Sequence, residues 1–197
     1  IDQIDINNAN QLGYKIKLIG VAESKNNKIT QRVHPALIRN NSYSAKIDGV
    51  LNAVIVESNP VGQSILQGEG AGSGPTTSSL ISDLCSVLRG NIKFPFVISD
   101  KKRKFASFDS IDEKKFSVYL RLDVKDKHGI LSDITKIMAK NKVSIKRLIQ
   151  KPTANKKNAF IIIITHAAKN SSFVKILLKT LKSNLSLYFS VSTICRK

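Results

Sequence analysis

The sequence has no tryptophan, one methionine and two cysteines, and aromatic residues make up only 6% of its 197 positions. The few aromatics do not interleave with the basic residues, which excludes the stacking platform of a single-strand nucleic-acid binder. Cys85 and Cys195 stand in unrelated segments, which excludes a disulfide framework or a thiolate metal site and reads as free thiols of a cytoplasmic protein. The three histidines, His34, His128 and His166, have no cysteine or carboxylate at ligand spacing, so no metal site is expected. The longest apolar run is AFIIII at 159–164, strand-sized and far short of the roughly 20 residues that cross a bilayer; no membrane association is expected. The opening residues mix acids and amides with isoleucine, and no secretory leader is expected from them.

Acidic residues are also scarce: 14 Asp and Glu face 32 Lys and Arg, a formal charge of +18. The excess is confined to one end. Residues 1–90 hold 8 basic against 7 acidic residues, and residues 91–197 hold 24 against 7. The basic residues are scattered, with Lys101, Lys102, Arg103 and Lys104 as the one cluster. Non-specific attraction to polyanions follows from such a charge, but a specific nucleic-acid partner is not expected.

What the chain does have is a glycine alternation at 68–74, GEGAGSG, followed by PTTSSLISDL. Glycine at every second position leaves a backbone without side chains and with wide conformational freedom. Pro75 and the small hydroxyl residues after it suit the first turn of a helix. A side-chain-free loop leading into a helix brings backbone N–H groups close to a ligand. The spacing is not the dinucleotide fingerprint, because Ser73 or Pro75 falls where its last glycine belongs.

The pattern elsewhere predicts an α+β chain. A short helix at 7–12 ends at Gly13, strands at 14–22 and 28–38 flank the turn-forming pair Asn26-Asn27, and strands at 50–56 and 64–66 flank Asn59-Pro60-Val61-Gly62. A helix follows at 76–88 with Leu80, Ile81, Leu84 and Leu88 on one face. Together these form a partial mixed or antiparallel sheet covered by a helix. The stretch 91–115, with Pro95 and the basic cluster, reads as a linker. From Phe116 a strand (116–124), helix (130–141), strand (143–150), strand (159–165), helix (172–182) and strand (187–194) follow, the β-α-β-β-α-β order of ferredoxin-like domains. Such a sheet leaves an edge strand and one face in need of cover, which pairing with a second copy supplies.

Four motifs in order, LGYKIKLIGVAE at 12–23, QRVHPALI at 31–38, DGVLNAVIVES at 48–58 and VGQSILQGEGAGSGPTTSSLISDL at 61–84, closely resemble the second half of the homoserine dehydrogenase catalytic domain. LDVKDKHGILSDITKIMAKNKVSIKRLIQ at 122–150 and FIIIITHAAKN at 160–170 resemble the ACT domain, an amino-acid sensor that acts by pairing with itself. The division implied is a catalytic-domain portion at 1–90, a linker at 91–115 and an ACT regulatory domain at 116–197.

That resemblance implies an NAD(P)-dependent oxidoreductase of threonine, methionine and isoleucine synthesis, interconverting L-homoserine and L-aspartate 4-semialdehyde as a homo-oligomer, dimer or tetramer. It places Gly72, with Gly70 beside it, against the nicotinamide cofactor. It places an effector, threonine first, at Gly129, Leu131, Ile145 and Asp126, although His128 stands where the family usually has proline. No catalytic residue is expected within the chain: the nucleotide-binding fingerprint, the catalytic lysine and the substrate-binding acids have no counterpart here, and Lys15 and Lys17 belong to the strand motif. The chain therefore reads as the C-terminal portion of a longer enzyme, inactive by itself. The alternative is a stand-alone amino-acid-binding ACT module without catalysis. His34, before Pro35 and without a carboxylate at useful spacing, reads as structural, and Asp83, Glu57 and Glu69 form no acid pair.

Overall fold

Asp2 starts the first helix, α1 (Gln3–Gln11), by accepting hydrogen bonds at its side chain from the backbone N–H groups of Ile4 and Asp5, at 3.0 and 3.2 Å. Asp5 returns the favour to the Asp2 N–H at 3.1 Å, a reciprocal cap that satisfies donors a helix start otherwise leaves open. Gly13, at φ +81°, turns the chain out of the helix. In this computed structural model the described residues are 1–91, 98–103, 105–152, 158–181 and 192–194. Pro95, Lys104, Cys195 and the expected strand start at Leu187 lie outside them. The described residues fall into two compact units, Ile1–Asn40 with Ala106–Lys197, and Asn41–Phe105.

In the first unit, β1 (Tyr14–Lys25) and β2 (Lys28–Arg39) form an antiparallel hairpin whose last pair is Lys25 with Lys28. Its two-residue turn needs positive φ at both positions, and Asn26 and Asn27 supply 52° and 62°. In the second unit, β3 (Leu51–Ser58) pairs antiparallel with β4 (Gly62–Glu69), and α2 (Ser73–Leu88) follows. Leu80, Ile81, Leu84 and Leu88 of α2 are exposed, as are Val54, Val56 and Leu66 of the hairpin.

The remaining elements return to the first unit. Within the stretch read as a linker, β5 (Ser107–Phe108) runs parallel to the start of β2. A short β6 (Lys115–Phe116) precedes β7 (Val118–Lys125), α3 (Ile130–Lys140), β8 (Ile145–Pro152) and β9 (Asn158–Thr165). Then come β10 (Ala168–Lys169), which pairs with β6, α4 (Asn170–Leu181) and β11 (Ser192–Ile194). The main sheet has the order β1-β2-β11-β7-β9-β8. Each of its last four strands is antiparallel to its neighbour among them, the ferredoxin-like arrangement expected, while β11 joins β2 in parallel through Thr193 and Ile194.

Both faces of this sheet are covered at β7 and β9, which is why the AFIIII run is apolar without alternation. One face packs Leu120, Leu122, Ile161 and Ile163 against Ile134 and Met138 of α3 and Phe173 and Ile176 of α4. The other packs Tyr119, Ile162 and Ile164 against Ala9 of α1 and Leu37 of β2, with Leu12, Tyr14 and Ile16 at the margin. No described helix is long and apolar enough to cross a membrane.

Candidate functional site

The glycine stretch is shorter as a loop than as a sequence motif. Gly68 still belongs to β4, opposite Asn52, and Gly74 already belongs to α2. Residues 70–72 make the connection. Pro75 is the third helical residue and not the first, a place where its missing N–H is equally harmless because first-turn donors have no intrahelical partner.

Gly72 caps α2 at φ +120° and ψ 156°, a region open essentially to glycine alone. Its carbonyl accepts from the Thr76 N–H at 3.2 Å and from the Thr76 hydroxyl at 2.7 Å. Ser79 and Ser86 likewise bond back to the carbonyls of Pro75 and Ser82, at 3.0 and 2.9 Å. The helix start has no side-chain cap. A Cβ on Gly74 or on Gly68 would meet open space, so the backbone at this end of α2 is accessible. At the other end of the loop, the Gly70 N–H donates to the Val50 carbonyl at 3.2 Å.

Backbone conformation alone thus requires glycine at position 72. Replacing Gly72 by alanine is expected to destabilise the 41–105 unit by about 1–3 kcal/mol, the cost of one strained residue, read as a fall in its urea midpoint by circular dichroism. An unchanged midpoint would mean that the loop relaxes without cost.

The second group of candidates lies at the β7–α3 junction. Gly129 caps α3 in the left-handed region at φ +88°, without a side-chain cap, and its carbonyl accepts from the Asp133 N–H at 3.0 Å. Asp126 and His128 are exposed, and Leu131 is exposed in the first turn of α3. Ile145 opens β8 and packs partly buried against the core beneath α3 and α4. His34 has both ring nitrogens engaged: Nε2 accepts from Arg32 Nε at 3.2 Å, and Nδ1 faces the Pro35 carbonyl at 3.0 Å. Among the described residues, no group of three His, Cys, Asp or Glu could hold a metal ion.

The reading of the sequence missed one polar cluster. Arg121, on β7, is 4% exposed and donates through Nε to Asp5 Oδ1 at 2.8 Å; Asp5 is wholly buried. Arg121 Nη2 reaches Asp2 at 2.7 Å, and the Tyr119 hydroxyl donates to Asp5 Oδ1 at 3.1 Å. Lys151 of β8 donates to Asn8 at 2.8 Å and also to Gln11. Burial pushes the Tyr119 hydroxyl above its usual range, and the Asp5 carboxylate adds to the shift. Burial opposes charge on Arg121 and Asp2 as well, but the hydrogen bond and attraction of Asp5, followed by those of Asp2, raise the guanidinium, and the Asp5 N–H together with the guanidinium lowers the Asp2 carboxyl.

Residues 1–85 match the family described as homoserine dehydrogenase, and residues 118–181 match the ACT domain. The chain is 34% identical over 177 residues to the homoserine dehydrogenase of Helicobacter pylori, covering 90% of this chain and 42% of that protein. It is 37% identical over 173 residues to that of Neisseria gonorrhoeae, covering 85% and 40%. The crystal structure of a homoserine dehydrogenase from Thiobacillus denitrificans matches 98% of this chain and 45% of its own, with a TM-score of 0.82 at 31% identity. The chain thus spans about 40% of the length of these curated relatives.

Proposed function

The chain belongs to the homoserine dehydrogenase family, with a catalytic-domain segment and an ACT domain, and we propose that it serves the reversible oxidation of L-homoserine to L-aspartate 4-semialdehyde. In this reading residues 1–90 contribute part of the catalytic domain, and residues 116–197 form a regulatory domain beyond a linker at 91–115. The protein works as a homo-oligomer in the cytoplasm. NAD(P), when bound, supplies the hydride chemistry, while the protein binds, orients and excludes water.

The observation that carries the reading is the uncapped start of α2 behind a glycine whose backbone no other residue adopts cheaply. The residues present suit a nicotinamide cofactor: Gly72 presents no side chain, and open space beside Gly74 leaves the first N–H groups of α2 accessible. Gly70 and Gly72 form the cofactor side of the loop. At the other end of the chain, an amino-acid effector, threonine first, sits at Gly129, Leu131, Ile145 and Asp126. The unpaired N–H groups at the start of α3 take its carboxylate, and Asp126 takes its ammonium.

The test joins this chain to the N-terminal part of the Helicobacter pylori relative and measures homoserine-dependent reduction of NAD and NADP. Turnover that disappears in Gly72→Val while folding persists is the expected result. A folded chimera that is inactive, or one indifferent to Gly72→Val, would remove the glycine loop from the reaction.

A further inference from the structure

Gly70 is a glycine for a different reason from Gly72. Its φ is not positive, so no left-handed backbone demands glycine there. A Cβ built on it would lie 2.3 Å from Asn52 Nδ2 and 3.1 Å from Asn52 Cγ. The space a side chain needs at position 70 is filled by the carboxamide of Asn52, on the neighbouring strand β3. That same Nδ2 donates to the Val50 carbonyl at 3.1 Å, the carbonyl that also accepts the Gly70 N–H at 3.2 Å. One carbonyl with two lone pairs holds both donors.

We propose that Asn52 is a positioning residue of the glycine loop, its carboxamide standing in for the side chain that Gly70 lacks and tying the start of the loop to the Val50 carbonyl. The loop is then pinned at both ends. Val50 and Asn52 fix Gly70, and Thr76 fixes Gly72 through two bonds to its carbonyl. Ala71 alone lies between. Asn52 serves this purpose because of its reach: it pairs with Gly68 across the hairpin, so no opposite side chain blocks the path of its short amide toward residue 70. Aspartate has the same shape but no donor for Val50, and alanine has neither the donor nor the volume.

The consequence for the reaction rests on the function proposed above; the anchoring does not. In the 197-residue chain, exchange of the Gly70 amide, which donates to Val50, is expected to quicken roughly five- to tenfold in Asn52→Ala, the range of one neutral hydrogen bond, and Asn52→Asp should not restore it. Exchange at 54–57 in the middle of the hairpin should not change. Gly70→Ala should quicken loop exchange in the native background by displacing the carboxamide, and add nothing in the Asn52→Ala background. Unchanged protection in Asn52→Ala, or additive effects of the two substitutions, would overturn the proposal. In the joined enzyme, Asn52→Ala should raise the KM for the nicotinamide cofactor and leave that for homoserine unmoved. Loss of loop protection without that rise supports the anchor and counts against the cofactor reading of the loop, so the two failures are separable.

Discussion

Replacing Arg121 by leucine is expected to lower the stability of the unit formed by Ile1–Asn40 and Ala106–Lys197 by about 3–5 kcal/mol, the cost of breaking one side of a buried ion pair. The size follows from what is left behind. Asp5 is wholly buried, so without the guanidinium at 2.8 Å it faces the interior as a charge with the Tyr119 hydroxyl and a backbone N–H as its remaining donors. The double variant Asp5→Asn with Arg121→Leu should be less destabilised than Arg121→Leu alone. It strands no charge and keeps an acceptor for Tyr119. Asp2 contributes much less: its side chain is 49% exposed, and exposed pairs are worth about 1 kcal/mol or less. Because its carboxyl is lowered in the folded state, that share is fully present above the ordinary aspartate range and is lost as pH falls through the folded value. Urea unfolding by far-ultraviolet circular dichroism at neutral pH measures the effect. A loss below about 1 kcal/mol in Arg121→Leu would place the pair in solvent and not in the core.

Local structure was legible wherever one residue type sufficed to specify it. Asn26-Asn27 marks a two-residue hairpin because both positions need positive φ, Gly13 marks a helix end, and the apolar period of 130–141 marks α3. The β-α-β-β-α-β order could be read for the same reason. The partner of α1 could not be. Asp5 looks like an ordinary first-turn acid, and Arg121 like the outward residue of a strand; 116 residues separate them, and no local pattern links them. One signal was available. The run at 159–164 does not alternate, and a strand with one wet face alternates. A second layer over the sheet was therefore implied, and the chain's own first 40 residues supply part of the cover that sequence reasoning assigned to another copy. The glycine loop was legible as a feature but not in its causes, since φ at Gly72 and the reach of Asn52 toward Gly70 are both three-dimensional.

Cutting the chain back to residues 106–197 is expected to leave it unable to hold its native sheet as a monomer, although the ACT match at 118–181 lies wholly within it. The deletion uncovers Tyr119, Ile162 and Ile164 by removing Ala9, Leu37, Leu12, Tyr14 and Ile16, and leaves them Ile149 of β8. Burying one large apolar side chain contributes about 1.5–3 kcal/mol, and losing several together is comparable with the whole stability of a domain, about 5–15 kcal/mol. The same cut strips Arg121 of both carboxylates, leaving a cation in an apolar face, and removes the parallel partner of β11, opening a sheet edge to other chains. Sedimentation and circular dichroism should therefore show association or aggregation and the loss of a cooperative transition. A peptide of residues 1–40 added in trans should restore both, but not when it carries Asp5→Ala. A monodisperse 106–197 monomer as stable as the full chain would mean that α1 and the β1–β2 hairpin merely rest on a sheet that needs neither.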